Sequence, residues 1–130
     1  MKRLKWLAAL AGIGAGGAAP AAEPPTAPAP DQAVIVRFNY GSTDLTRLFE
    51  LETQLEAAIS KANAGEYDGN EVAVDGSDGI LYMYGPHADR LFQAIKPVLE
   101  SAPLMKGAKV TIRYGPAAEG VRENIVTIAT

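Results

Sequence analysis

Residues 66–85 read EYDGNEVAVDGSDGILYMYG, and the fold turns on what this stretch forms. Glu71-Val-Ala-Val-Asp75 alternates with Val72 and Val74 on one face, Gly76-Ser77-Asp78-Gly79 is dense in turn formers, and Ile80-Leu-Tyr-Met-Tyr84 is rich in strand formers. That pattern predicts two antiparallel strands joined by a tight turn. The stretch also holds Glu66, Asp68, Glu71, Asp75 and Asp78 among four glycines, which raises a calcium loop as a competing reading. An EF-hand loop needs oxygen ligands at positions 1, 3 and 5 and glycine at 6. A start at Asp68 puts Val72 and Ala73 at positions 5 and 6, and a start at Asp75 puts Ile80 at 6, so both registers fail. The acids around Gly76–Gly79 are therefore turn chemistry, while Asp68-Gly69-Asn70-Glu71 reads as a second turn just before the strand.

On the N-terminal side, Val34 to Tyr40 alternates as a half-buried strand, with Val34, Val36, Phe38 and Tyr40 on one face and Arg37 and Asn39 on the other. Ser42 or Thr43 can cap a helix over residues 44–63, with Asp44 in its first turn. Leu45, Leu48, Leu51 or Glu52, Leu55 and Ile59 form its apolar stripe, and Asn63-Ala64-Gly65 supplies its stop. On the C-terminal side, Gly85-Pro86 ends the hairpin, and a second helix starts at His87 and carries apolar positions through Val98 and Leu99. Pro97 inside it predicts a kink or a break into two short helices. Lys109 to Tyr114 alternates again, residues 115–120 form a loop, and Glu123 to Ile128 is a last strand.

The order is thus β-α-β-β-α-β with an extra C-terminal strand. With right-handed crossovers this predicts a ferredoxin-like α+β two-layer sandwich, an antiparallel sheet with two helices on one face. The other face is then open and carries Arg37, Asn39, Lys109, Thr111 and Arg113. Either Tyr82 with Tyr84 or Leu81 with Met83 joins them.

The N-terminus is organised differently. Lys2, Arg3 and Lys5 precede an apolar run from Trp6 to Ala19 and the triplet Ala19-Pro20-Ala21, the pattern of a Sec-type signal peptide over residues 1–21. The run is too short to span a bilayer, so no stable membrane insertion is expected after cleavage, and the mature protein is expected in the periplasm or secreted. Residues 22–33, AEPPTAPAPDQA, hold four prolines and read as an extended linker, with the folded domain over 34–130. Beyond residue 21, nine Lys or Arg face fifteen Asp or Glu, which disfavours a nucleic-acid partner. The chain has no cysteine, hence no disulfide and no thiolate chemistry.

Few residues carry catalytic chemistry. His87 is the single histidine, and Asp89 two residues on does not make a catalytic pair with it. No serine lies in a G-x-S-x-G elbow, and no glycine-rich phosphate loop follows a strand. Two tyrosines on one strand are a feature of RNA-recognition domains, but GILYMYG lacks that motif's basic residue and glycine–aromatic order. No enzyme activity, cofactor or metal is expected.

Two candidate sites follow. The hairpin is expected to return Tyr84 and Gly85 beside Asn70 and Glu71, so Tyr67, Asp68, Asn70, Glu71, Tyr84, His87 and Asp89 form a candidate small-ligand or metal site, or a hydrolase site. The open face with Arg37, Asn39, Tyr82 and Arg113 is a candidate surface for a protein or peptide, or for pairing of two subunits, since Tyr and Arg are enriched among interface anchors.

At GEYDGNE, LYMYGPHADRLFQAIKPVLE and GAKVTIRYGPAAEGVRE the chain resembles a set of small bacterial proteins of unknown function. In these a YDGNE-like turn, an LYMYGP-AD helix start and a V-T-x-RYGP strand recur in that order. The likeness covers residues 65–123 and implies no activity. The sequence therefore points to an exported, non-enzymatic binding module.

Overall fold

The computed structural model describes residues 3–6 and 32–129. The expected apolar leader, its cleavage triplet and most of the linker, residues 7–31, lie outside the described residues. The elements are β1 (Arg3–Trp6), β2 (Gln32–Asn39), α1 (Thr46–Ala62), β3 (Glu66–Ala73), β4 (Asp78–Gly85), α2 (Ala88–Ser101), a 3-10 turn (Pro103–Met105), β5 (Lys109–Arg113) and β6 (Glu123–Thr127). The strands form one antiparallel sheet in the order β1-β3-β4-β2-β5-β6. The architecture is mixed α+β, as the alternating periods require.

Strand β2 is central, and its register sets both sheet faces. Val34, Val36 and Phe38 pair with Met83, Leu81 and Gly79 of β4, while Val34 and Val36 also pair with Ile112 and Val110 of β5. These side chains are buried together with Leu48, Leu51, Leu55 and Ile59 of α1 and Leu91, Phe92, Ile95 and Leu99 of α2 in one core. Each such side chain contributes about 1.5–3 kcal/mol when removed from water. Leu81 and Met83 are thus in the core, and the pleat turns Tyr82 and Tyr84 to the other face, beside Ile35, Arg37, Thr111 and Arg113.

Local chemistry explains the element ends. The Thr46 N–H donates to Asp44 Oδ1 at 2.9 Å, and the Asp44 N–H donates to Ser42 Oγ at 2.9 Å, so Asp44 rather than Ser42 or Thr43 satisfies the first turn of α1. Asn63 closes the helix in the left-handed region at φ 52°. Helix α2 is capped across the fold, its Ala88 N–H donating to the Gln32 side-chain oxygen at 2.8 Å.

Several expectations are corrected. Gln32 and the fully buried Ala33 belong to β2, not to the proline-rich linker, because β4 and β5 extend far enough to pair with them. Helix α2 runs unbroken through Pro97. The carbonyl that loses its donor there is that of Gln93, an exposed residue whose acceptor solvent can reach. Asp68-Gly69-Asn70-Glu71 is not a turn: β3 begins at Glu66, runs through these residues with a bulge between Tyr67 and Gly69, and ends at Ala73. Val74 therefore leaves the strand and is exposed. The turn itself is held by the Gly76 N–H to Ala73 O at 2.8 Å and the Ser77 N–H to Asp75 Oδ1 at 2.9 Å.

Gly65 lets β3 start against the end of β4. It has φ +150°, and a Cβ there would stand 2.1 Å from the Tyr84 carbonyl oxygen. We predict that Gly65→Ala costs about 1–3 kcal/mol of unfolding free energy in urea, with fraying at the Glu66–Tyr84 end of the sheet.

Candidate functional site

The bulge in β3 builds the most unusual feature of the core. In a regular strand, residues three apart point to opposite faces, so Tyr67 and Asn70 should diverge. The extra residue Asp68, followed by Gly69 at φ 122°, restores them to the same side. Both side chains are buried and converge on Glu52 of α1, which is itself buried. The Tyr67 hydroxyl donates to Glu52 Oε2 at 2.5 Å, and Asn70 Nδ2 donates to the same oxygen. Asn70 Oδ1 is buried with no hydrogen-bond partner among the described residues.

Burial raises the Glu52 pKa, partly opposed by the Tyr67 and Asn70 hydrogen bonds, with the nearby Glu56 charge adding to the rise. The Tyr67 hydroxyl is pushed far up by burial and by the adjacent Glu52 charge, so it stays a donor. Glu52 occupied an ambiguous place in the apolar stripe of α1, shared with Leu51. That position, four residues from Leu48 and three from Leu55, was the available signal for a buried acid.

The expected convergence of Asp68–Glu71 with His87 and Asp89 does not occur. Tyr84 pairs with Glu66, whereas Asn70 and Glu71 pair with Leu81 and Ile80. Glu71 is thus five residues along the ladder from the Gly85 level, roughly 17 Å at strand spacing. The seven candidates separate into three places. Tyr67 and Asn70 lie on the core side. Glu71 and Tyr84 lie on the opposite face, with half-buried Asp68 at the bulge. His87 and Asp89 are exposed at the start of α2.

At that helix start, Asp89 Oδ1 accepts from the Tyr114 hydroxyl at 2.6 Å, Asn124 Nδ2 donates to the same hydroxyl at 3.1 Å, and the Arg122 guanidinium lies 4.5 Å from the Tyr114 ring centre. The bond to Asp89 raises the Tyr114 pKa. Gln32, His87, Asp89, Arg90 and Tyr114 border a shallow cavity of about 270 Å³. Another cleft, about 290 Å³, lies between α1 and the end of α2, beside Arg47, Glu50, Gln54 and Pro103.

The face away from the core carries Tyr82, whose hydroxyl donates to Glu71 Oε1 at 2.5 Å. Burial and this bond push the Tyr82 pKa up to about 12. Ile35 and Thr111 flank it along the ladder, with exposed Arg37 next to them and Arg113 at the far end, its Nε donating to Gly115 O at 2.7 Å. Asn39 lies at the opposite end of the same row, paired with Asp78. No group of three or more His, Asp or Glu able to hold a metal ion occurs among the described residues, and no described helix is long and apolar enough to cross a membrane.

Comparison with protein-family models, with curated proteins and with solved structures found no match.

The Glu52 cluster yields a signed pH prediction. Because its folded pKa is raised, the stability contributed by Glu52 is full below the ordinary carboxylate pKa and is lost as pH rises through the raised folded value. Glu52→Gln keeps an oxygen acceptor for Tyr67 and Asn70 without the charge. Relative to wild type it gains stability as pH rises from about 4 to about 8, measured by urea unfolding at each pH. Tyr67→Phe, which deletes one donor, costs about 1 kcal/mol in the same experiment.

Proposed function

We propose that this chain is an exported, non-enzymatic module that binds a protein or peptide on the sheet face turned away from the helices. We read its core as ferredoxin-like, βαββαβ with an added C-terminal strand. Two observations support that reading: the antiparallel order β3-β4-β2-β5, with β6 beyond β5, and one apolar core shared by α1, α2 and the Val34–Val36–Phe38 row. The observation that carries the binding proposal is the composition of the other row: Ile35, Arg37, Tyr82, Tyr84, Thr111 and Arg113 lie on adjacent central strands. Aromatic rings and guanidinium groups on rigid strands make anchors with little side-chain entropy left to lose. A second copy of the chain is an alternative occupant. Export rests on the basic, apolar and small-residue order of residues 1–21.

A small-ligand reading has one observation in its favour, the cavity beside His87, Arg90 and Asp89. Asp68 and Glu71, which that reading also called upon, belong elsewhere in the sheet.

The test uses Arg37→Glu and Arg113→Glu variants that retain wild-type circular dichroism. Each is expected to reduce partner recovery, or dimer formation by light scattering, at least about tenfold, as loss of an arginine anchor does. Unchanged recovery and unchanged mass would refute the face. Cell fractionation tests export separately: a product beginning near Ala22 is expected in the periplasmic or extracellular fraction, and an uncleaved cytoplasmic chain would refute it.

A further inference from the structure

Strand β3 has two sides. One pairs with β4, and the other carries β1 in the antiparallel register Arg3↔Ala73, Leu4↔Val72, Lys5↔Glu71 and Trp6↔Asn70. β1 is set apart from every other strand, since residues 7–31 separate it from β2 and it belongs to the stretch that reads as an export leader. An edge of this kind presents backbone donors and acceptors that add an extended segment by ladder pairing, whichever chain supplies it.

The window available for pairing is short and bounded. The bulge at Asp68 bends the strand on one side of Asn70, and the chain turns away after Ala73 on the other. Its chemistry is also uneven. Opposite Asn70, on the core side, lie a buried amide oxygen with no hydrogen-bond partner among the described residues and the Glu52 carboxyl behind it. Opposite Glu71, on the open side, lies a carboxylate that holds the Tyr82 hydroxyl. Opposite Val72 the surroundings are apolar. A strand that pairs here is favoured by a cation at the Glu71 position, an apolar residue at the Val72 position and a donor-bearing side chain at the Asn70 position. Lys5, Leu4 and Trp6 hold those three register positions.

We propose that the Asn70–Ala73 edge of β3 is a strand-acceptor site for an extended peptide that is basic opposite Glu71 and apolar opposite Val72, with Arg3–Trp6 as its intramolecular occupant. Removal of the leader vacates this window for a peptide supplied in trans. That step alone rests on the export reading. The described core members run from Val34 to Ile128, so a chain beginning at Ala22 retains them all.

The chain contains a single tryptophan, Trp6, so a chain starting at Ala22 has none and a peptide of residues 2–7 (KRLKWL) carries the whole tryptophan signal. Titration of this peptide with the shortened chain, followed by tryptophan anisotropy, is expected to saturate. Glu71→Lys should weaken binding at least about tenfold, as opposing like charges in a cross-strand contact disfavours pairing. A Leu4→Pro version of the peptide, which lacks a donor to the Val72 level of the ladder, should not bind. Arg113→Glu, four residues along the ladder and three strands away from Glu71, should leave this titration unchanged, which separates failure of the edge from failure of the face. A second measurement uses the full chain: Leu4→Pro is expected to speed hydrogen exchange of the outward-facing amides in Asn70–Ala73 at least about tenfold, leaving those bonded to β4 protected. Absence of saturable binding by a folded shortened chain would overturn the proposal. So would equal binding of the proline peptide, or unchanged exchange in the full-chain variant.

Discussion

A buried carboxyl group links α1 to strand β3. Glu52 sits in an otherwise apolar stripe of α1 and receives hydrogen bonds from Tyr67 and Asn70 of β3. Burying that acid is costly unless its acceptors are occupied, so the two donors must arrive from the same face of one strand. Three-residue spacing forbids this in a regular strand, and the bulge at Asp68 removes the conflict. The bulge is thus coupled to the core. It defines where β3 is straight enough to accept a neighbouring strand, and it aims Glu71 at Tyr82 on the opposite side.

The sheet divides its chemistry by parity. Every residue that pairs across β2 at the level of Val34 or Val36 enters the core, and every residue one step along faces away. Polar and aromatic groups therefore gather on one side without any motif marking them as a set. The helix start at His87 is a third region, stitched to the β5–β6 connection by Asp89, Tyr114 and Asn124. It is remote from the YDGNE stretch because strand spacing, once the hairpin register is set, leaves no freedom to bring them together.

Most of the secondary structure was legible in residues alone. Period-two alternation located β2 and β5, strand-forming composition located β4, and the spacing of Leu48, Leu55 and Ile59 located α1. Less legible were features that arise from pairing. YDGNE has the composition of a turn, yet β4 supplies a ladder long enough to hold it extended. Gln32 and Ala33 have no strand signal of their own, and two neighbours recruit them. Pro97 breaks an isolated helix, but here the amphipathic face of α2 packs on both sides of it and the helix continues.

The sequence by itself determined which segments alternate with period two and which with 3.6, because those periods are written in the order of apolar and polar residues. It also determined the sign of the charge beyond residue 21 and the absence of cysteine from residues 1–130. Only the tertiary structure decided which tyrosines face out, that Glu52 is buried together with Leu51, and that Tyr67 and Asn70 share a face. Each of these depends on strand register, and register is a relation between distant segments. A shift of one residue exchanges the two faces of a sheet, and no local pattern can report that shift.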